Sequence, residues 1–388
     1  MKILVILSRV PYPLEKGDKL RAFNQIRELS KKHQIILFAL NDGKLDNNAI
    51  EELKKYCVAI SVMPLPKQTV IKNLARSFFS GLPMQVGYFY FSKAQNKLDE
   101  LIRKHNPDHI YCQLIRTAEY VKTYPQFRKT LDYMDVFSKG IERRKNTDPF
   151  YMKPLLSLEY KRLLKYEHRV FSWFTNKTII SSQDRELIPH PDKAQIKVIP
   201  NGVDTEFFKP MTRKKSYELL FNGNMNYPPN VESVEYLVNK VMPYVWSKIP
   251  SVKLLISGAT PNSKVMALES DKVFISGWVD DVRENYAKCK ILVAPMQISI
   301  GLQNKLLEAM AMQIPCVTSV LANNALGAKH NEQIMVADKP EQYALHIIEL
   351  LQNEAKAKQI ALNGYNFALN NFNWKKTTTV LEELMLKK

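Results

Sequence analysis

The chain has 388 residues, 45% hydrophobic and 24% charged, an ordinary balance for a soluble globular protein with enough apolar material for two cores. Its four cysteines are widely spaced, with no C-x-x-C and no Cys/His cluster; this excludes a disulfide scaffold, argues against zinc and iron–sulfur sites and fits a reducing compartment. The formal charge of +18 is uneven: residues 1–200 carry 35 Lys/Arg against 20 Asp/Glu, a net of +15, and residues 201–388 carry 21 against 18, a net of +3. Such asymmetry points to a polyanion or an anionic lipid surface as a partner of the first half.

No apolar run approaches the ~18–20 residues of a membrane span. The start, MKILVILSRVPYPLEK, has only a short apolar run, and Arg9, Glu15 and Lys16 arrive before any small-residue cleavage site. A buried parallel strand is the expected state of Ile3–Leu7, and a cytoplasmic protein with at most peripheral membrane contact is expected. A Pro/Gly loop follows, then a helical pattern over Leu20–Lys31 and a strand over Gln34–Leu40. Strands are expected at His109–Cys112, Thr130–Tyr133, Thr178–Ser181 and Ile196–Ile199, with helical stretches at Gln95–His105 and Leu156–Phe174. After a turn-rich, charged stretch between Pro200 and Tyr217 the pattern restarts. Strands at Glu218–Phe221, Lys253–Ser257, Val273–Ser276, Ile291–Ala294 and Cys316–Thr318 are expected, with a helix over roughly Val231–Val241. Alternating β and α elements imply parallel sheets covered on both faces, so the expected fold class is α/β with two Rossmann-like doubly wound domains facing across a cleft. Ligands bind at the C-terminal ends of such strands.

The most informative segment is Gly301–Met312, GLQNKLLEAMAM, after the strand ILVAP and a short loop. The glycine is expected to open a helix whose unpaired first-turn amides, with the helix dipole, favour an anion. Lys305 is expected one turn in, and Glu308 three residues later on the same face. A cation beside phosphate-binding amides, followed by a carboxylate suited to the vicinal hydroxyls of a ribose, spells a nucleotide. By spacing alone, a solvated Lys–Glu pair on an amphipathic helix is an equally available reading.

This segment resembles the donor-site helix of retaining GT-B glycosyltransferases, specifically glycosyltransferase family 4, in which a strand ending in Pro leads to G-x-x-x-K-x-x-E-A-M-A. Ile199–Phe207 (IPNGVDTEF), Gly277–Asp281 (GWVDD) and Phe372–Trp374 (FNW) match further motifs of that family in the right order. The resemblance implies the GT-B fold, with an acceptor-side domain over 1–204 completed by a C-terminal helix over 373–388, and a donor domain over 205–372. It implies transfer of a hexose-type sugar from a nucleoside diphosphate (UDP or GDP) to a glycan or lipid-linked acceptor in cell-surface polysaccharide synthesis, with retention of configuration. No cofactor or metal ion is implied beyond the nucleotide sugar as co-substrate. The acceptor implied is a glycan or a polyprenyl-diphosphate-linked sugar. On the same resemblance Lys305 and the Gly301, Leu302 and Gln303 amides hold the diphosphate, Glu308 the ribose, and the backbone at Trp278 and Val279 flanks the base.

The chain departs from that family's pattern in three places. Where many members carry a second glutamate, eight residues before the ribose-binding one, this sequence has Ile300. Where many place an Arg after the first glycine of the donor domain, it has Gly223-Asn224, either donor-side groups or a plain turn. A histidine common at the end of a first-domain strand is missing from Tyr111–Arg116, where Gln113 or Arg116 stand as replacements.

In the first domain, Gly17 in the loop after the first strand offers close backbone approach, and Arg21 a phosphate contact; the alternative is a turn glycine, an Asp18 N-cap and a solvated Arg21. Asp132 and Asp135 follow a strand and are candidates to bind the acceptor or assist proton removal, or else to cap a helix. The stretch Lys161–Phe174 mixes cations with Trp173 and Phe174, which reads either as a helix lying on anionic lipid or as a solvated helix whose aromatics fill the core. A nucleic-acid-binding protein is the rival reading of the charge, but no zinc-finger, RNP, KH or basic-region pattern is present. A nucleotide-sugar epimerase is the rival reading of the cleft. No G-x-G-x-x-G follows the first strand, which argues against a nicotinamide dehydrogenase.

Overall fold

The computed structural model describes residues 1–14, 16–298 and 301–387, apart from the side chains at 146 and 147. The chain divides into two compact units, Met1–Pro200 with Thr378–Lys388, and Asn201–Thr377.

The first unit is built on a seven-stranded sheet in the order β3-β2-β1-β4-β5-β6-β7. Its strands are β1 (Lys2–Leu7), β2 (Gln34–Asn41), β3 (Cys57–Pro64), β4 (His109–Gln113), β5 (Arg128–Asp132), β6 (Asn176–Ile179) and β7 (Lys197–Val198). All pairs are parallel, with Ile3 opposite Ile35 on one side and His109 on the other. Parallel strands need crossovers that cover both faces, so β1 is apolar from Ile3 onward: Leu4 and Ile6 enter one core, Ile3, Val5 and Leu7 the other. The second unit repeats the plan in six strands, β10-β9-β8-β11-β12-β13. These are β8 (Tyr217–Asn222), β9 (Leu254–Ser257), β10 (Val273–Gly277), β11 (Cys289–Ala294), β12 (Cys316–Ser319) and β13 (Met335–Ala337). Neither β3 nor β13 is among the strands expected from sequence; β3 is half-exposed along much of its length and β13 has three residues, so neither carries a long apolar run.

Seven helices position the groups of functional interest: α1 (Gly17–Leu29), α2 (Lys67–Ser80), α3 (Lys153–Val170), α4 (Pro228–Tyr236), α5 (Val282–Ala287), α6 (Asn304–Ala311) and α7 (Trp374–Leu386). The second half of α7 belongs to the first unit: Leu381 and Met385 pack in the core with Ile3 and Val5, and Glu382 pairs with Lys32 at 2.9 Å and His33 at 3.0 Å.

The four cysteines are free and buried. Burial pushes the thiols of Cys57, Cys112 and Cys289 up to about 12, so none is a thiolate at neutral pH. Among the described residues, no three His, Cys, Asp or Glu side chains are placed to hold a metal ion, and no helix is long and apolar enough to cross a membrane.

Candidate active site

In both sheets the strand order reverses beside the first strand of the unit. In the second unit the switch point lies between β8 and β11, where the chain leaves in opposite directions and opens a crevice. Two segments meet there: Gly223–Asn230 after β8, and Gly301–Lys305 at the start of α6.

Helix α6 starts at Asn304, not at Gly301 as the sequence pattern suggests. Gly301 stands at φ +66° and Gln303 at φ −88°, ψ 103°, both outside the helical region, so Gly301, Leu302 and Gln303 form an approach to the helix. Lys305 is therefore the second helical residue. Its side chain is buried, with Nζ donating to Asn230 Oδ1 at 2.7 Å and lying 4.2 Å from the centre of the Phe221 ring. Burial pushes its pKa from 10.5 down to about 7, against an opposing pull from Glu308. A lysine held this way has lost water without gaining a full counter-charge, which suits it to an arriving anion.

Glu308, one turn on, is partly exposed. Its Oε2 accepts from the Tyr286 hydroxyl at 2.7 Å, and that hydroxyl accepts from Asn222 Nδ2 at 3.0 Å. Burial raises the Glu308 carboxyl above its usual range, while Tyr286 and Lys305 pull it back. Among the described residues only Oε2 is hydrogen-bonded, so Oε1 is available to a ligand hydroxyl.

Two glycines allow this crowding. A Cβ on Gly258, at φ +139°, would stand 1.6 Å from the Gly223 carbonyl oxygen. A Cβ on Gly223 would meet Asn230 Nδ2 at 2.7 Å and Lys305 Nζ at 3.2 Å. Gly223→Ala is expected to push Asn230 and Lys305 apart and to weaken the hold of Lys305 on a diphosphate probe about tenfold, the scale of one charge-assisted hydrogen bond, ~1.5 kcal/mol. Calorimetric titration with UDP, alongside a thermal melt that stays within a few degrees of wild type, checks this.

Asn224 is exposed, and its Oδ1 accepts from the Asn226 amide at 2.9 Å and the Thr260 hydroxyl at 3.1 Å. That is an Asx turn, so the turn reading holds for the side chain, while the Asn224 carbonyl accepts from Asn230 Nδ2 at 3.0 Å. Trp278 is 66% exposed directly after Gly277, which has φ +63°, and Val279 is half-buried. Ile300 lies outside the described residues.

The other motif residues hold the chain. Asp281 caps α5 through the Arg283 amide at 3.0 Å and pairs with the Arg283 guanidinium at 2.6 Å. Asp204 accepts from the Glu206 and Phe207 amides. Gly202 lies against Trp374, whose backbone nitrogen a Cβ would meet at 2.6 Å, and Val203 bridges to Asn373. The IPNGVD and FNW motifs thus form one packed junction.

In the first unit the structure corrects the reading of Arg21 and Asp132. Both side chains are 0% exposed and pair with each other, Arg21 Nε to Asp132 Oδ2 at 2.5 Å. The Tyr111 hydroxyl lies 2.9 Å from the same carboxylate oxygen and 2.6 Å from Gln25 Oε1. Burial alone lowers the Arg21 pKa, but Asp132 and Tyr111 outweigh it and hold the guanidinium charged. A group with no accessible surface touches no substrate; these are positioning residues that tie α1 to β5. Gly17 begins α1, and nothing lies within 4 Å of where its Cβ would be, so no close approach within the protein requires glycine there. Asp18 does not cap α1: the N-cap is Lys16, and Asp18 pairs with Arg9 at 3.2 Å.

Asp135 is partly exposed, and its Oδ1 accepts from the Val136 amide at 2.7 Å. Burial raises its carboxyl pKa, opposed by Arg143 and Arg116. The preceding Met134 stands at φ +58°, and Leu114 after β4 at φ +65°, left-handed conformations that cost branched or bulky residues energy and mark both strand ends as constrained. Gln113 is buried and donates to the Asp18 carbonyl at 3.1 Å, while Arg116 lies against the Phe137 ring and donates to Gln85.

Residues 216–353 match the family model Glycosyl transferases group 1. That segment contains every second-unit site residue described above. A 44.6 kDa protein in the cps region of Klebsiella pneumoniae is 24% identical over 396 residues, covering 97% of each chain. Among solved structures, sucrose-phosphate synthase from Thermosynechococcus elongatus superposes with TM-score 0.71 at 14% identity, covering 99% of this chain and 98% of that one. Anabaena HepE in complex with UDP gives TM-score 0.69 at 14% identity, covering 99% of both chains. TarM gives 0.72 at 12% identity, covering 100% of this chain and 99% of that one. The two-domain α/β fold, that of GT-B enzymes, is shared along the whole chain.

Asn230, Tyr286 and Asn222 were not among the residues singled out by sequence. Asn230 had a weak signal, an amide in the first turn after Pro228-Pro229, where a helix turns its face toward the crevice. Tyr286 and Asn222 had none.

Proposed function

We propose that this protein is a retaining glycosyltransferase that moves a hexose from a UDP- or GDP-linked donor to a glycan or lipid-linked acceptor in cell-surface polysaccharide synthesis. One observation carries the reading. Lys305 is buried against Asn230 and Gly223, one helical turn from a carboxylate with a free oxygen, at the switch point of a sheet within the matched segment. HepE in complex with UDP, on the same fold, favours a uridine donor, and the Klebsiella relative in a cps region favours polysaccharide assembly.

In this reading the diphosphate sits against Lys305 Nζ and the Gly301–Gln303 backbone, and Glu308 Oε1 accepts from the ribose. As the sugar–oxygen bond breaks, negative charge grows on the leaving diphosphate. A cation already stripped of water stabilises that charge more in the transition state than in the ground state. The test is calorimetry with UDP and GDP, followed by NMR of UDP-glucose or GDP-mannose turnover to read the anomeric configuration of the product. Failure of both nucleotides to bind folded protein would sink the proposal.

The lowered Lys305 pKa sets a pH dependence. Above about pH 7 the free protein holds Lys305 neutral. The diphosphate carries its full charge there, and raises the lysine pKa on binding. Binding therefore takes up a proton, and affinity falls as pH rises from about 7 toward 9, by up to about tenfold per unit once both forms are distinguished. Calorimetry in buffers of different ionisation enthalpy reads the uptake directly, and Lys305→Met is expected to abolish it.

A further inference from the structure

We propose that the outward face of α2, together with the cation row of α3, docks the protein on an anionic lipid bilayer. The inference does not rest on the transfer reading.

Helix α2 (KQTVIKNLARSFFS) carries large apolar side chains into solvent. The residues it buries are polar: Asn73 at 9% and Ser77 at 2% exposure. They face Gly87 and Tyr88, with Asn73 Nδ2 donating to the Tyr88 carbonyl at 3.2 Å and Ser77 occupying the space a Gly87 side chain would need. Val70 packs against the core and Leu74 is half-buried, but three large apolar residues face out: Ile71 is 68% exposed, Phe78 49% and Phe79 87%. The helix holds three cations, Lys67, Lys72 and Arg76, and no carboxylate. Two large aromatics and an isoleucine in water cost free energy unless a partner covers them.

Helix α3 lies alongside. Arg162 donates to the Ser77 carbonyl at 3.2 Å and to the Phe78 carbonyl at 2.7 Å, with its guanidinium 5.8 Å from the Phe78 ring. Leu155, Leu158, Arg162, Lys165 and Arg169 recur at spacings of three and four, one helical stripe. Two adjoining hollows between these helices share Gly81 and Arg169 and are lined by Arg76, Lys122, Lys161, Arg162 and Lys165. One carboxylate, Glu119, lines them; it pairs with Lys122 at 3.9 Å and Arg169 at 4.0 Å. Among the described residues, Arg76, Lys161, Arg162 and Lys165 pair with no carboxylate.

Apolar side chains projecting beside unpaired cations are the mark of an interfacial helix, where rings enter the acyl boundary and cations meet lipid phosphates. A nucleic acid would use the cations and leave Ile71 and Phe79 in water. A protein partner or a second copy would cover the apolar face, yet would have to answer a row of cations with carboxylates that the neighbouring surface of this chain does not supply. Of the aromatics at the end of the Lys161–Phe174 stretch, Phe171 and Phe174 are buried at 5% and 3% exposure, while Trp173 is half-buried against the core beneath Lys122 and Arg169.

The experiment is sedimentation of the full chain with vesicles of phosphatidylcholine alone and with roughly one-third phosphatidylglycerol. Wild type is expected to pellet with the anionic vesicles only. Phe78→Ser/Phe79→Ser is expected to weaken that binding at least tenfold, and Lys161→Glu/Lys165→Glu by about fivefold or more for each charge removed. The single variant Phe79→Ser, at the most exposed position, guards against misfolding of the pair, and melts of all variants should match wild type. Binding that neither variant changes would overturn the proposal. So would loss of a wild-type dimer in Phe78→Ser/Phe79→Ser without vesicle binding, which would assign the face to a second copy. Selective retention of RNA with no retention of vesicles would assign the cations to nucleic acid and equally overturn it.

Discussion

Lys305→Ala is expected to weaken UDP or GDP binding 100- to 1,000-fold, about 3–4 kcal/mol. Two charge-assisted hydrogen bonds to a diphosphate, each worth about 1.5–3 kcal/mol, account for that size. The free protein is expected to tolerate the change. Its lysine is buried, held by one neutral amide and near half-ionised at neutral pH, so removing it relieves a desolvated charge while opening a small void and freeing Asn230 Oδ1. Lys305→Met keeps the aliphatic volume against Phe221 and isolates the charge. Binding within threefold of wild type in both variants would take the diphosphate away from this lysine. Glu308→Gln is expected to cost less, because Oε2 already faces Tyr286 and only the ribose contact changes.

Arg21→Ala is expected to destabilise the first unit by about 3–5 kcal/mol, because it leaves the fully buried Asp132 without its cation. For a unit of this size that lowers its melting temperature by roughly 10 °C. The double change Arg21→Met with Asp132→Asn removes both charges and keeps an acceptor for Tyr111, and is expected to recover most of the loss. Differential scanning calorimetry reads both. The outcome that would reverse the assignment is an Arg21→Ala protein with an unchanged melt and no activity, since that is the behaviour of a residue that touches substrate.

By local pattern alone the lysine and arginine sites look alike, each a cation near the start of a helix that follows a strand, although only Lys305 falls on a family motif. The tertiary structure separates them. Lys305 faces a crevice held open by Gly223 and Gly258, whereas Arg21 points under the sheet to a carboxylate 111 residues away. Spacing along a helix reports which residues share a face, and says nothing about which neighbour that face meets. The same ambiguity left two readings of Lys161–Phe174 open: Phe174 fills the core, as in the solvated-helix reading, Trp173 is half-buried, and the most exposed ring is Phe79 of α2.

What the sequence determined by itself was the repeated order of apolar strands and amphipathic helices, hence two parallel sheets; it also singled out the segment from Gly301 to Glu308 as the candidate site. Buried parallel strands write continuous apolar runs, and that signal is local. What only the tertiary structure decided was the company each charged group keeps: Asn230 for Lys305, Tyr286 for Glu308, Asp132 for Arg21. Those partners come from strands and helices far apart in the chain. The work of a buried charge is set by the dielectric and the hydrogen bonds around it, which no stretch of sequence encodes on its own.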